Sequence, residues 1–339
     1  MHSVVKAFRA NIVEGRFTSL IVSVFVIVMR IMLFANKGLP ELSFQNSNYL
    51  WQHLSFFFSK PEISFTASTF SVFIIAWINN TINNRFSLFR TRSNLPFIYP
   101  LFFLSLHPYF LIMTSDYIAI IFILLSFFPL LKSYQKPDSY LYSFRSSILI
   151  ATASLFQFFA IILIPLMWRG ERTMRGPQIR SLLSSLFGVL LVYISVFSIY
   201  FILDDITGFL LPFNSLLNIS LPEIPSYTIF ELVMALFILM FFVLNMVFSI
   251  NTYGRDKVLT LNFMRFIVFL LIFLLLLQMV YWGKTLFFLV LSITLISYLS
   301  AYFYTRNNSR NHIYLVYFMF LIMIMIYLSH YSALFDIIS

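Results

Sequence analysis

The sequence predicts an all-α fold, a polytopic transmembrane helical bundle. Three observations carry this. Sixty percent of the 339 residues are hydrophobic and only 10% are charged, against roughly 25% charged in soluble domains. The apolar residues come in runs near the ~20 residues needed to cross a bilayer. Nearly all the Lys and Arg residues fall in short links between those runs, where they orient spans rather than bind nucleic acid, despite a net charge of +10. With no cysteine in the chain, disulfides, thiolate metal sites and a Cys nucleophile are excluded.

In chain order, residues 1–17 form an amphipathic lead with Lys6, Arg9 and Arg16. The run that follows contains Arg30 and lacks a small-residue cleavage site, so it is expected to be a retained first span, at about 18–35, rather than a signal peptide. The first outer loop, 36–66, carries Glu41 and the aromatic stretch YLWQHLSFFF with His53, as expected of a helix lying in the interface. A second span is expected at 67–82, then a basic link with Arg85, Arg90 and Arg92. Spans at 95–112 and 116–131 make a tight hairpin with Asp116 at its turn.

Residues 146–168 are long enough for one span, but one span would put Arg145 and the Arg169–Arg180 cluster on opposite sides. Two short paired segments, 141–154 and 157–168, keep both on one side and place Gln157 near the bend. Such broken backbone is tolerated only inside protein or beside a wet cavity. Beyond these, a span is expected at 181–203, a loop at 206–226, and spans at 227–249, 264–280, 285–303 and 313–329. The total is about eleven membrane segments in a single integral membrane domain, 1–339. All but four of the 22 basic residues then lie on one side; the exceptions are Lys37, Lys60, Lys284 and the in-span Arg30. The positive-inside bias makes the N-terminus cytoplasmic and the protein a multi-pass inner-membrane one.

This topology collects eight of the twelve acidic residues on the outer face, among them Glu41, Asp116 and the Asp204-Asp205 pair. For Asp116 a helix cap is one reading; a carboxylate acting as general base or metal ligand is the other. Asp204-Asp205 reads as the solvated end of a span. Arg30 either snorkels to the surface or holds a phosphate or an outer acid. Gln157 either hydrogen-bonds neighbouring helices or lines a site, and His107 reads as a packing or kink element beside Pro108. The histidines lack metal-ligand spacing, and no phosphate-cradling Gly loop or nucleophile elbow is present.

From Pro96 to Arg180, the run ending in TSDYIAIIFILLSFFPLLK, the broken segment SSILIATASLFQFFAIILIPLMW and the basic loop after it resemble an uncharacterised family of bacterial polytopic inner-membrane proteins. The layout over 18–205 is also similar to that of the GT-C class of membrane glycosyltransferases, which pair a first span and an acid-bearing outer loop with an acid at the next outer turn; 206–339 would then be C-terminal transmembrane helices. The resemblance implies Asp116 and Glu41 as catalytic acids and a polyprenyl-phosphate-linked sugar as donor. It puts Gln157, Arg30 and His53 at the lipid-phosphate site, although Gln157 stands where that class often has a Lys. A divalent metal on the departing phosphate is compatible with that chemistry. The sequence leaves two rivals: a transporter or lipid flippase, and a non-catalytic membrane subunit of an envelope assembly.

Overall fold

Apolar chain without access to water must satisfy its backbone hydrogen bonds internally. The computed structural model is helical throughout, with no strand among the described residues. These are residues 3–40, 48–136, 140–176, 178–219, 240, 243–250, 252–254, 256–282, 286–306 and 309–331. Glu41 and most of the span expected at 227–249 lie outside them.

The helices are α1 (Ser3–Phe8, continued by a π-helical turn Arg9–Val13), α2 (Thr18–Lys37), α3 (Trp51–Ser55), α4 (Pro61–Phe86), α5 (Leu95–Phe103), α6 (Ser115–Lys132), α7 (Tyr140–Phe156), α8 (Leu163–Arg175), α9 (Ile179–Ile202), α10 (Ile206–Leu217), α11 (residues 243–250), α12 (Val258–Val280), α13 (Phe287–Arg306) and α14 (Arg310–Tyr331). Among the described residues, α2, α4, α6, α9, α12, α13 and α14 are long and apolar enough to cross a membrane. These seven coincide with seven of the eleven expected segments. Of the other four, one is broken, two are the short pair, and one falls mostly outside the described residues.

The bundle is built around α13, whose residues are almost all buried, with α5, α6 and α12 packed against it. α2 and α9 turn rows of Leu, Ile, Val and Phe outward, the surface a lipid-facing helix presents. α9 nonetheless lies tightly on α7 through the buried line Ser181, Ser185 and Gly188. A Cβ on Gly188 would sit 2.4 Å from Ser147 Oγ, so the close approach requires glycine there. The indole of Trp168 donates to Ser185 Oγ at 2.6 Å, tying α8 to the same line.

The short hairpin is present, and both arms are longer than expected. α7 runs to Phe156, the backbone is extended at Gln157, and a 3-10 turn at Phe158–Ile162 leads into α8. α8 returns to the start of α7, where Ser143 and Ser181 each donate to Glu171 Oε2 at 2.8 Å and Arg175 pairs with the same oxygen at 2.9 Å. The basic residues flanking the pair therefore share one end of the bundle.

Two expectations fail. The segment expected as a continuous span at 95–112 is a nine-residue helix followed by irregular chain and a 3-10 turn at Pro108–Leu111. α5 passes through Pro100 and ends three residues later, and Pro108, which has no backbone donor, opens the 3-10 turn after extended His107. The loop expected at 206–226 begins with a twelve-residue helix, α10. Asp205 caps it by accepting from Gly208 N at 2.9 Å, so this acid is used locally.

Candidate functional site

The broken segment after α5 leaves backbone carbonyls with no helical partner, and the structure answers them with Arg30. This side chain is fully buried. Its Nη1 donates to Leu104 O at 2.9 Å and Ser105 Oγ at 3.4 Å, and its Nη2 to Phe110 O at 3.0 Å and Ser68 Oγ at 2.8 Å. Its Nε donates to Thr69 Oγ1 at 3.0 Å. All five guanidinium N–H groups are thereby committed. α4 completes the support with small polar residues on one face. Ser68 Oγ lies 2.5 Å from Leu111 O, and Ser64 Oγ accepts from Met113 N at 2.9 Å. Arg30 therefore neither snorkels nor offers a free cation to a phosphate; it stands in for the water that irregular backbone would otherwise require.

The next residues deliver the carboxylate. The hydroxyl of Tyr117 donates to Phe110 O at 2.9 Å, fixing the start of α6 against the same broken segment. Asp116, one residue earlier, is only 4% exposed. Gln157 Nε2 donates to its Oδ1 at 2.6 Å, and Thr114 Oγ1 lies 3.4 Å from Oδ2. Two of the residues singled out in the sequence, 41 positions apart, thus meet where both interrupted helices end. Among the described residues no Lys, Arg or His forms an ion pair with Asp116. The carboxylate is packed under protein.

The cover is residues 48–50, just before α3. Leu50 N donates to Leu155 O at 3.0 Å, and Asn48 Oδ1 accepts from Phe158 N at 3.0 Å. The loop thereby satisfies one carbonyl and one amide that the break at Gln157 had orphaned. Tyr49 sits among Phe158, Tyr193, Tyr200 and Phe209 and donates to Phe209 O at 2.6 Å. Beside this seal are two buried polar atoms without a partner, Asn48 Nδ2 and Ser115 Oγ. Neither residue was singled out from the sequence. An Asn in a polar link between two helices carries no periodicity or motif, and only its docking into the break at Gln157 gives it weight.

His53 lies exposed on α3, followed by the exposed pair Phe56 and Phe57, as suits an interfacial segment. His107 accepts from Tyr109 N at 3.2 Å and shapes the 3-10 turn, in line with a packing role. Among the described residues no three His, Cys, Asp or Glu side chains gather as a metal site.

Chemically, Asp116 is a carboxylate in an apolar, water-poor setting, held by an amide and a weak hydroxyl contact. It retains acceptor directions that neither fills. Fold and site together define a polytopic helical membrane protein with a buried acid, unpaired by any cation among the described residues, at the meeting of two helix breaks. No family model matches the chain, and no curated protein or solved structure matches it.

Proposed function

We propose that this chain is a multi-pass inner-membrane protein working as a GT-C-like glycosyltransferase, with Asp116 as its base, on a polyprenyl-phosphate-linked sugar at the outer face. The observation that carries the reading is the Asp116–Gln157 contact of 2.6 Å beneath residues 48–50. A buried acid among apolar helices is costly and by default functional, and among the described residues this one has no counter-ion to explain it structurally.

In this reading the N-terminus and the arginine-rich end are cytoplasmic, and residues 48–50 and Asp116 face out. Asp116 takes the proton of an acceptor hydroxyl. The oxygen attacks the anomeric carbon, and the bond from that carbon to the phosphate breaks, the polyprenyl phosphate leaving with the electron pair. Gln157 orients the carboxylate, and Ser115 offers a hydrogen bond to a sugar hydroxyl once residues 48–50 swing aside. Glu41 is the second acid; it precedes Asn48 by seven residues, a reach of up to about 25 Å. Because Arg30 is committed to protein, the charge on the departing phosphate falls to a lysine at this end, such as Lys60, or to a divalent cation.

One observation favours a second reading, a proton-coupled transporter: two interrupted helices meet at a closed carboxylate, as at transporter binding sites. The test is transfer of radiolabelled sugar from undecaprenyl-phosphate donors by the full-length protein in vesicles. Asp116→Asn should lower transfer at least ~100-fold, the lower range for acid–base catalysis, without changing the melting temperature. Full activity in this variant would refute the glycosyltransferase. Proton-driven solute uptake that Asp116→Asn abolishes, with no sugar moved, would replace it with the transporter.

A further inference from the structure

The other end of the bundle carries a site of different chemistry, and its argument is independent of the function assigned to Asp116. Where α4 ends, the chain turns through residues 87–94 before α5 begins, enclosing a cleft of about 510 Å³. This is within the ~300–1,000 Å³ of small-molecule sites. Every lining residue is polar, in a chain that is 60% hydrophobic. Asn80, Asn83 and Asn84 line one side and Arg90 and Arg92 the other, and no carboxylate takes part.

The floor of the cleft is rigid. Asn83 is buried and accepts from Phe89 N at 3.1 Å. Asn94 N donates to Val13 O at 2.8 Å and Asn94 Nδ2 to Gly15 O at 2.7 Å, anchoring the far rim to the N-terminal lead. Arg90 is held at its Nε by Asp256 at 3.0 Å, while 42% of its side chain remains exposed. Asp256 also binds Arg306 at 2.6 Å and accepts from Tyr302 at 2.5 Å. One carboxylate thus serves two guanidiniums, and Arg92 adds a further positive charge on the exposed rim. Asn80 Oδ1 is buried without a partner.

An excess of guanidinium facing a row of carboxamides suits one class of ligand. Arginine holds phosphate oxygens by paired N–H donors. Carboxamides both donate and accept, as hydroxyl groups require. We propose that this cleft binds a phosphate ester carrying a hydroxylated group, such as the headgroup of an anionic lipid or a free polyol phosphate.

The full-length protein in neutral detergent tests this by thermal unfolding with phosphatidylglycerol, phosphatidylcholine or soluble glycerol 3-phosphate. A ligand of the folded state raises the melting temperature with its concentration. Phosphatidylglycerol should do so and phosphatidylcholine should not; a matching effect of glycerol 3-phosphate assigns the site to free esters, and its failure assigns it to lipid. Asn84→Asp and Arg92→Gln, both at exposed positions, should weaken the apparent affinity about tenfold, whereas Arg172→Gln on another basic segment should not. If Asn84→Asp alters the melting temperature without ligand, Arg92→Gln decides. The proposal is overturned if neither anionic probe stabilises, if phosphatidylcholine does so equally, if Arg92→Gln responds like the unmodified protein, or if Arg172→Gln loses the response to the same degree.

Discussion

Arg30 and Asp116 are both buried ionisable residues beside one broken segment, where Arg30 and Tyr117, the residue after Asp116, donate to the same Phe110 carbonyl, yet their surroundings differ in kind. Arg30 spends all five N–H groups on protein oxygens from α4 and the broken segment. Among the described residues Asp116 has one strong partner, an amide, and no cation. A buried charge whose hydrogen-bonding capacity is exhausted by protein belongs to the architecture. One left with open acceptor directions, beside other unpartnered polar atoms, is free to meet something that is not protein. Burial alone does not separate the two; the count of satisfied donors and acceptors does.

The comparison breaks most visibly at Arg30. Arg30→Met should leave the carbonyl of Leu104 without its side-chain donor, at about 1–3 kcal/mol, and that of Phe110 with Tyr117 alone. The variant should express poorly or melt far below the unmodified protein in detergent; normal stability would show that the broken segment holds itself. Asp116→Asn should be its mirror image, with stability kept and function lost. A smaller effect is expected at Gln157→Leu, which removes a hydrogen bond to a charged group worth roughly 1.5–3 kcal/mol. Transfer should fall by less than in Asp116→Asn, and the melting temperature should drop modestly; a drop equal to that of Arg30→Met would make the pair structural. The smallest effect belongs to the opposite end of the bundle. Tyr302→Phe removes one of three partners of Asp256 and should cost about 1–2 kcal/mol, with sugar transfer unchanged; lost transfer would mean that the two ends are coupled.

The same residues show what was legible in advance. The apolar runs anticipated the seven helices that are long and apolar enough to cross lipid, because length and composition alone decide that property. The break at Gln157 was readable from charge, since one span would have separated basic segments that the structure gathers at one end. The break after Phe103 was not, although Pro100 and Pro108 signalled it, because hydropathy is blind to hydrogen-bond geometry. α10 was missed for the converse reason: Pro212 suggested a loop, yet it lies inside the helix.

What the amino-acid order settled by itself was a basic-at-one-end, helical, lipid-embedded chain, and an acid at the start of α6 worth attention. Those properties are sums over local composition and need no knowledge of neighbours. The tertiary structure decided that Arg30 is scaffold, that Gln157 reaches Asp116, and that Asn48 closes over them. Each outcome depends on which orphaned backbone group a side chain meets across tens of residues, and hydrogen-bond satisfaction at that range is set by packing, not by sequence pattern.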